Sequence, residues 1–361
     1  LMALVKVKQD VISDTVNLGR RNLIINGAMQ VAQRGTSVTG ITSTPNYCTA
    51  DRFLLSSVIG TLTAEQSTDA PDGFGYSFKI SCTTAESTGS LNSGDYIQLQ
   101  QRIEGQNLQH LAMGTSNAKP MTLSFWVKSN ITGTGSVELQ QKDNSDRQVT
   151  PSYTINSADT WEYKTISIPA DTSGSIDNDN GMGMWVLFWL QSGSAFTGGT
   201  NRTSWTAESN PDRNASNLEF ATTTSDYFAI TGVQLEVGNT ATPFEHRSYG
   251  EELTLCQRYY QRFDAEQNLG CWGARSSTLF TGGINFMTTM RSAPTTTVFG
   301  QPDFYGLSET TSATVWNAGS GSTSVNGIRL DATISGTTTS TRSACALQLV
   351  SGSGITFDAE L

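Results

Sequence analysis

Side chains that trade protons, bind metals or attack substrates are sparse in this chain and badly placed for the work. Its two histidines, His110 and His246, sit in no His-Glu-x-x-His or triad-like setting. No Gly-x-Ser-x-Gly elbow, Walker loop or Gly-x-Gly-x-x-Gly run occurs either. His246 is therefore expected to make a structural hydrogen bond. Cys48, Cys82, Cys256, Cys271 and Cys345 are odd in number, far apart and without a Cys-x-x-Cys pair, which argues against a disulfide framework and against zinc. Most are expected to fill core space. Asp177-Asn-Asp179-Asn-Gly181 opens like a calcium loop, but Met182 and Phe188 stand where that loop wants glycine and glutamate, so a solvated turn is expected. Asp51-Arg52 reads as a structural ion pair or strand cap. Carboxylate pairs of the glycosidase kind meet only in three dimensions. Apart from that, the expectation is no enzyme, no cofactor and no metal.

Binding by contact is better supplied. Flat aromatic rings suit the C–H faces of sugars, and amides and guanidinium groups suit hydroxyls. DYIQLQQRI separates Ile97, Leu99 and Ile103 from Tyr96, Gln98, Gln100 and Arg102, while LSFWVKS separates Leu123, Phe125 and Val127 from Ser124, Trp126 and Lys128. The outward set Trp126, Tyr96, Gln98, Gln100, Arg102 and Gln140, joined by Trp185 and Trp189 on one side of MWVLFWL, forms a candidate glycan platform. The competing reading is that a second domain or neighbouring subunit covers this face. Loop tips then become the contact points, either the segment from Phe196 to Trp205 or the far C-terminal loops.

The elements that must position these residues are strands. Charged residues are 15% of the 361, and glycine, serine, threonine and asparagine abound, a mixture that suits short strands and polar turns. Alternating runs follow one another from residue 22 to about 247, beginning with NLIINGAMQ as an opening strand. MWVLFWL is apolar on both faces and should be central or covered. SYGEELTLCQRYYQRF is predicted as a helix over 248–264, with Ser248 and Glu251 as a capping box. Leu253, Cys256 and Tyr260 would share one face, widened by Leu255, Tyr259 and Phe263, a stripe broad enough to demand burial, either under the first sandwich or against other subunits of an oligomer. Residues 265–361 return to β-structure, with 319–322 and 337–341 as loop tips. The reading is thus mostly β: an antiparallel β-sandwich (jelly roll) over 22–247, a connecting helix, and a smaller β-domain. Residues 1–21 would form an attachment segment.

Net charge is −10 and no lysine follows Lys164, so a nucleic-acid footprint is missing. The longest apolar run, 184–190, is too short to cross a bilayer, and LMALVKVKQD does not read as a signal peptide. The sequons at Asn130, Asn201 and Asn214 are expected by chance in so Asn/Thr-rich a chain.

NLIINGAMQ, TADRF, TLSFWVKS, TWEYKTISIPAD and ITGVQLEVG together resemble the β-jelly-roll carbohydrate-binding modules. The same set, with AQRGTS, ATPFEHRSYGEELTLCQRYYQRF and NFMTTMRSAPTTT, resembles tail-fibre and other virion structural proteins of tailed bacteriophages, over roughly residues 21–300. The resemblance implies a receptor-binding virion component, assembled in the host bacterial cytoplasm. It would be a homotrimer, contact host surface polysaccharide and join other virion proteins through its N-terminal segment. A capsid decoration, collar or whisker protein is the alternative, and a depolymerase a more distant one. Modules of this kind often hold a calcium ion; Gln30 and Thr231 stand at the matching positions and bring no charge, which argues against one here.

Overall fold

The computed structural model describes residues 20–42, 46–86, 88–264, 266–305, 311–334 and 344–361. The predicted attachment segment thus lies, but for its last two residues, outside the described residues, as does the expected loop tip at 337–341. The described chain divides after Ser248 into two compact units, the second being Tyr249–Glu360.

In chain order the first unit holds β1 (Ser37–Ile41), β2 (Asn46–Tyr47), β3 (Leu54–Ser57), β4 (Thr61–Ser67) and β5 (Ser77–Thr84). Next come β6 (Tyr96–Glu104), β7 (Met121–Ser129), β8 (Gly133–Gln141), β9 (Arg147–Val149) and β10 (Ser152–Ile155). β11 (Glu162–Ile168), β12 (Met182–Ser192), the short helix α1 (Ser194–Thr197), β13 (Thr206–Ala207) and β14 (Tyr227–Val237) complete it. They form two antiparallel sheets. Sheet I runs β1-β4-β5-β14-β7-β11, and sheet II runs β13-β9-β8-β12-β6-β3-β2 with β10 paired to β8. This is the expected sandwich. Non-consecutive strands lie side by side in both sheets, the Greek-key habit of jelly rolls.

Alternation explains the core. Phe78 and Ile80 from β5, Leu123, Phe125 and Val127 from β7, and Ile230 and Leu235 from β14 point inward from sheet I. Ile97 and Leu99 from β6, Val137 and Leu139 from β8, and Val186 and Phe188 from β12 meet them. Phe125 and Phe188 touch edge to face across the sandwich, ring centroids 5.1 Å apart. β12 is central in sheet II, between β6 and β8, as its two-sided apolar run requires.

The opening segment departs from expectation. Residues 22–30 form no ladder strand. They follow β14 through isolated bonds, Leu23 N to Leu235 O (2.8 Å) and Val233 N to Gly27 O (3.0 Å), while the Asn22 side chain bridges Val233 O and Leu235 N. Positive φ at Asn26 (61°) and Met29 (57°) bends the chain out of extended geometry. A Cβ on Gly27 would lie 2.1 Å from Val233 O, so only glycine permits this approach.

The second unit begins with α2 (Tyr249–Gln257), shorter than the predicted helix. Tyr260 and Phe263 belong instead to a strand, β15 (Tyr260–Phe263). Within α2 only Glu252 and Cys256 are buried, so the broad apolar stripe does not form; Leu253 and Leu255 are half-buried, and Tyr259 is buried beyond the helix end. Aromatic residues favour pleated surfaces, and a partner strand is at hand. The remaining strands are β16 (Asn268–Ala274), β17 (Leu279–Asn285), β18 (Thr295–Phe299), β19 (Asp303–Tyr305), β20 (Thr311–Thr323), β21 (Gly327–Ile334), β22 (Ala344–Gln348) and β23 (Gly354–Asp358). β15 and β18 flank β23, and β16-β17-β21-β20-β19-β22 close into a barrel. Residues 319–322, expected as a loop tip, fall inside β20. Cys48, Cys82 and Cys256 are buried as expected, but Cys271 is exposed.

Candidate functional site

The outward candidates do not share one platform. Trp126 lies on β7 of sheet I, whereas Tyr96, Gln98, Gln100, Arg102, Gln140, Trp185 and Trp189 lie on sheet II. Much of the sheet II face is closed. Gln98, Gln100 and Gln140 are buried, and Trp189 is 0% exposed. Part of the cover is the segment between β12 and β14. Phe196 of α1 packs tilted on Trp189 (5.1 Å) and edge to face on Tyr96 (6.3 Å), and the Arg213 guanidinium lies 5.2 Å from the centre of the Trp189 ring. Trp189 Nε1 donates to Glu138 Oε2 (2.9 Å), and Arg213 Nε donates to the same carboxylate at 3.0–3.1 Å. Burial pushes the Glu138 carboxyl up, and Arg213 and Trp189 pull it only part of the way back.

Two cations already lie over the Trp185 ring, Arg102 at 4.9 Å and Lys142 at 5.8 Å from its centre. Trp205, the loop candidate, is buried and donates its Nε1 to Pro169 O (2.8 Å). Five residues in register across sheet II, Thr206, Gln148, Gln140, Trp185 and Arg102, each keep one buried polar atom without a protein partner. Atoms shut away in this manner suit ordered water. A pyranose needs an open ring face, which this row does not present.

An open aromatic groove exists on the other sheet. It has a volume of about 450 Å³ and is lined by Asp72, Gly73, Phe74, Ser124, Trp126, Tyr163, Gly232, Ala241, Thr242, Pro243, Phe244 and His246. That size falls within the range of small-ligand pockets, about 300–1,000 Å³. Strand register builds its floor: Tyr163, Trp126 and Thr231 are neighbours across β11, β7 and β14. The Trp126 and Tyr163 rings lie 5.3 Å apart at 46°, and Tyr163 is 44% exposed.

A bulge in β14 shapes the wall. The pairing register shifts between Thr231 and Gln234, and Gly232 takes φ +61°. A Cβ there would meet Phe74 at 2.7 Å and Trp126 at 3.1 Å. Glycine thus lets Phe74 lie against the sheet beside Trp126. The turn carrying Phe74 is fixed by Phe74 N to Pro71 O (3.1 Å) and by Thr231 Oγ1 donating to Tyr76 O (2.7 Å).

The far wall, 241–246, is fastened by buried acceptors. Thr242 donates from N and Oγ1 to Glu236, and Glu245 N donates to Gln234 Oε1 (2.8 Å). Phe244 then packs on Phe74 (5.1 Å) and on His246 (4.9 Å). His246, expected to make a structural hydrogen bond, is set among rings at the groove mouth. Nearby, Lys128 and Trp161 both donate to Asp69, and Lys128 leads in holding its carboxyl below the usual range.

Sequence reasoning found Trp126 and missed Tyr163, Phe74 and Phe244. Tyr163 was legible in principle, because EYKTISI alternates with Ile166 and Ile168 inward. A phenylalanine in the turn PDGFG, half-buried in the fold, was the other signal. Asp51 and Arg52, read as a structural ion pair or strand cap, are each tied to other parts of the fold. Asp51 receives Gln33 Nε2 (2.5 Å) and lies 3.7 Å from Arg34, and Arg52 donates to Arg102 O (2.7 Å). Among the described residues no three His, Cys, Asp or Glu side chains gather as a metal set. No described helix is long and apolar enough to cross a membrane.

No protein-family model matches the chain, and no curated protein matches it. Solved structures similar to it include the enzymatically active domain of a bacteriophage CBA120 tailspike protein, at 13% identity and a TM-score of 0.31, over 60% of this chain and 21% of that one. A Bacteroides thetaiotaomicron protein described as sugar-binding aligns at 15% and 0.34, over 60% and 100%. The family 11 carbohydrate-binding module of a Clostridium thermocellum cellulase aligns at 15% and 0.28, over 57% and 99%. Scores this low carry no argument about the site; the strand pairing itself defines the sandwich.

Proposed function

We propose that the first unit is a non-enzymatic glycan-binding module of a tailed-phage virion protein, a tail-fibre or other receptor-binding component. The observation that carries the glycan reading is the open groove of Trp126, Tyr163, Phe74 and Phe244 with Asp72 and His246 at its edge. Rings of this kind take the C–H faces of a pyranose, and the polar edge takes its hydroxyls. The phage assignment is supported by the PFEHRSYGEELTLCQRYYQRF block and its neighbours. The homotrimer, on the host-facing exterior of the virion, now rests on that resemblance alone, because the apolar helix stripe does not form. Glycan-array binding by the purified chain, lost in Trp126→Ala, tests the reading. Reducing-sugar release from host envelope material is expected to be nil.

An architectural role, as a capsid decoration, collar or whisker protein, is the second reading. Closure of the sheet II face by Arg213, Phe196 and their partners favours it, since that surface serves internal packing. Labelling the protein on intact particles separates the two, a head location removing the receptor role.

A further inference from the structure

Charge in the groove bears on which sugars it takes. None of its lining residues is lysine or arginine. Lys128 and Arg21, close to lining residues, are already committed, Lys128 to Asp69 (2.8 Å) and Arg21 to Thr242 Oγ1 (2.6 Å) and Pro243 O (3.2 Å). Asp72, by contrast, is exposed at the rim and engages no partner among the described residues. Guanidinium and ammonium groups, the strongest side-chain partners of carboxylate and sulfate, are not among its lining residues. A free carboxylate accepts two hydrogen bonds side by side, which matches a vicinal pair of sugar hydroxyls. It also repels an anionic sugar, within a chain of net charge −10.

We propose that the groove selects uncharged pyranoses, with Asp72 accepting a vicinal hydroxyl pair while Trp126 and Tyr163 hold the ring face, and that it rejects acidic polysaccharide. This inference rests on the glycan-binding reading above and sharpens it to a substrate class. Asp72 lies at the edge, in the turn that also delivers Phe74, so ring stacking and hydroxyl capture are supplied from adjoining positions.

The test uses the full chain against immobilised dextran, mannan and galactan as neutral probes, and hyaluronate and polygalacturonate as acidic ones. The expected result is binding to at least one neutral probe and to neither acidic one. Asp72→Asn should weaken neutral binding about tenfold, the scale of losing a hydrogen bond to a charged group. Thermal melting of the variant checks that it folds, and Asp72→Glu should restore part of the binding. Equal retention of acidic and neutral probes, or neutral binding unchanged in Asp72→Asn, overturns the charge selection and leaves the glycan reading standing. Failure of every probe to bind overturns both.

Discussion

Trp126 and Gly232 show how single residues set the groove. Trp126 stands on the outer face of sheet I, so its removal should cost binding more than folding. Truncating a central aromatic anchor commonly costs about 2 kcal/mol or more, which is roughly 30-fold in affinity. Trp126→Ala should therefore lose at least that factor in a titration against a bound glycan, with its far-UV circular dichroism unchanged. Gly232→Ala acts differently. A methyl group at φ +61° is strained, and it would push into Phe74. A loss of about 1–3 kcal/mol in denaturant unfolding is expected, together with weaker binding. Asp51 offers a prediction in pH. Burial raises its carboxyl from 3.8 to about 6, against the pull of Arg34 and Gln33. A folded-state value above the unfolded one gives stability that is complete below about pH 4 and lost as pH rises through about 6. Asp51→Asn lacks this titration, so its stability relative to the parent should improve by about 2 kcal/mol between pH 4 and pH 7. Chemical denaturation at the two pH values checks it; a constant difference would contradict the buried-carboxyl account.

At the scale of elements, the segment from α1 to β14 is held on sheet II by a buried ion pair. Arg213 and Glu138 sit under Phe196 and beside Trp189, with Glu138 fully buried. Removing one partner strands a buried charge, at a typical cost of about 3–5 kcal/mol. Arg213→Ala should lose stability on that scale in denaturant unfolding and raise hydrogen exchange across 193–226. A loss below about 1 kcal/mol would mean the segment is fastened elsewhere. Elements also show what the sequence made legible. β6, β7 and β8 could be read with their faces, because inward aliphatics alternate with polar residues, and β12 could be read as central from its two-sided apolar run. That the sheet II face is covered is one of the two readings of the sequence, by a second domain or neighbouring subunit. That the unit's own Phe196 and Arg213 supply the cover was not legible, since they lie about 60–75 residues away in the chain from Glu138. Local composition carries no trace of such a contact. The helix predicted over 248–264 stops at Gln257 for a related reason: Tyr260–Phe263 finds its partner at Gly354–Asp358, far along the chain. NLIINGAMQ carried strand composition, yet Asn22 replaces ladder bonds with its side chain and Gly27 brings the backbone close to Val233. Of Trp126, Tyr163, Phe74 and Phe244, only Trp126 was read and Tyr163 could have been; the other two required the bulge at Gly232 and the turn at Phe74.

At the scale of the molecule, the sandwich presents an open aromatic groove on sheet I and keeps much of the polar face of sheet II for its own packing. The virion assignment predicts a trimer in multi-angle light scattering, and a monomer would contradict it. The central claim is that this groove holds sugar, and the most direct test is a carbohydrate-perturbation experiment by NMR or isothermal titration on the full chain. A neutral oligosaccharide drawn from a positive glycan array should bind the parent chain and be lost in Trp126→Ala and Tyr163→Ala, while Trp185→Ala retains it. Binding that survives both sheet I substitutions and vanishes with Trp185→Ala would place the site on sheet II and contradict the account.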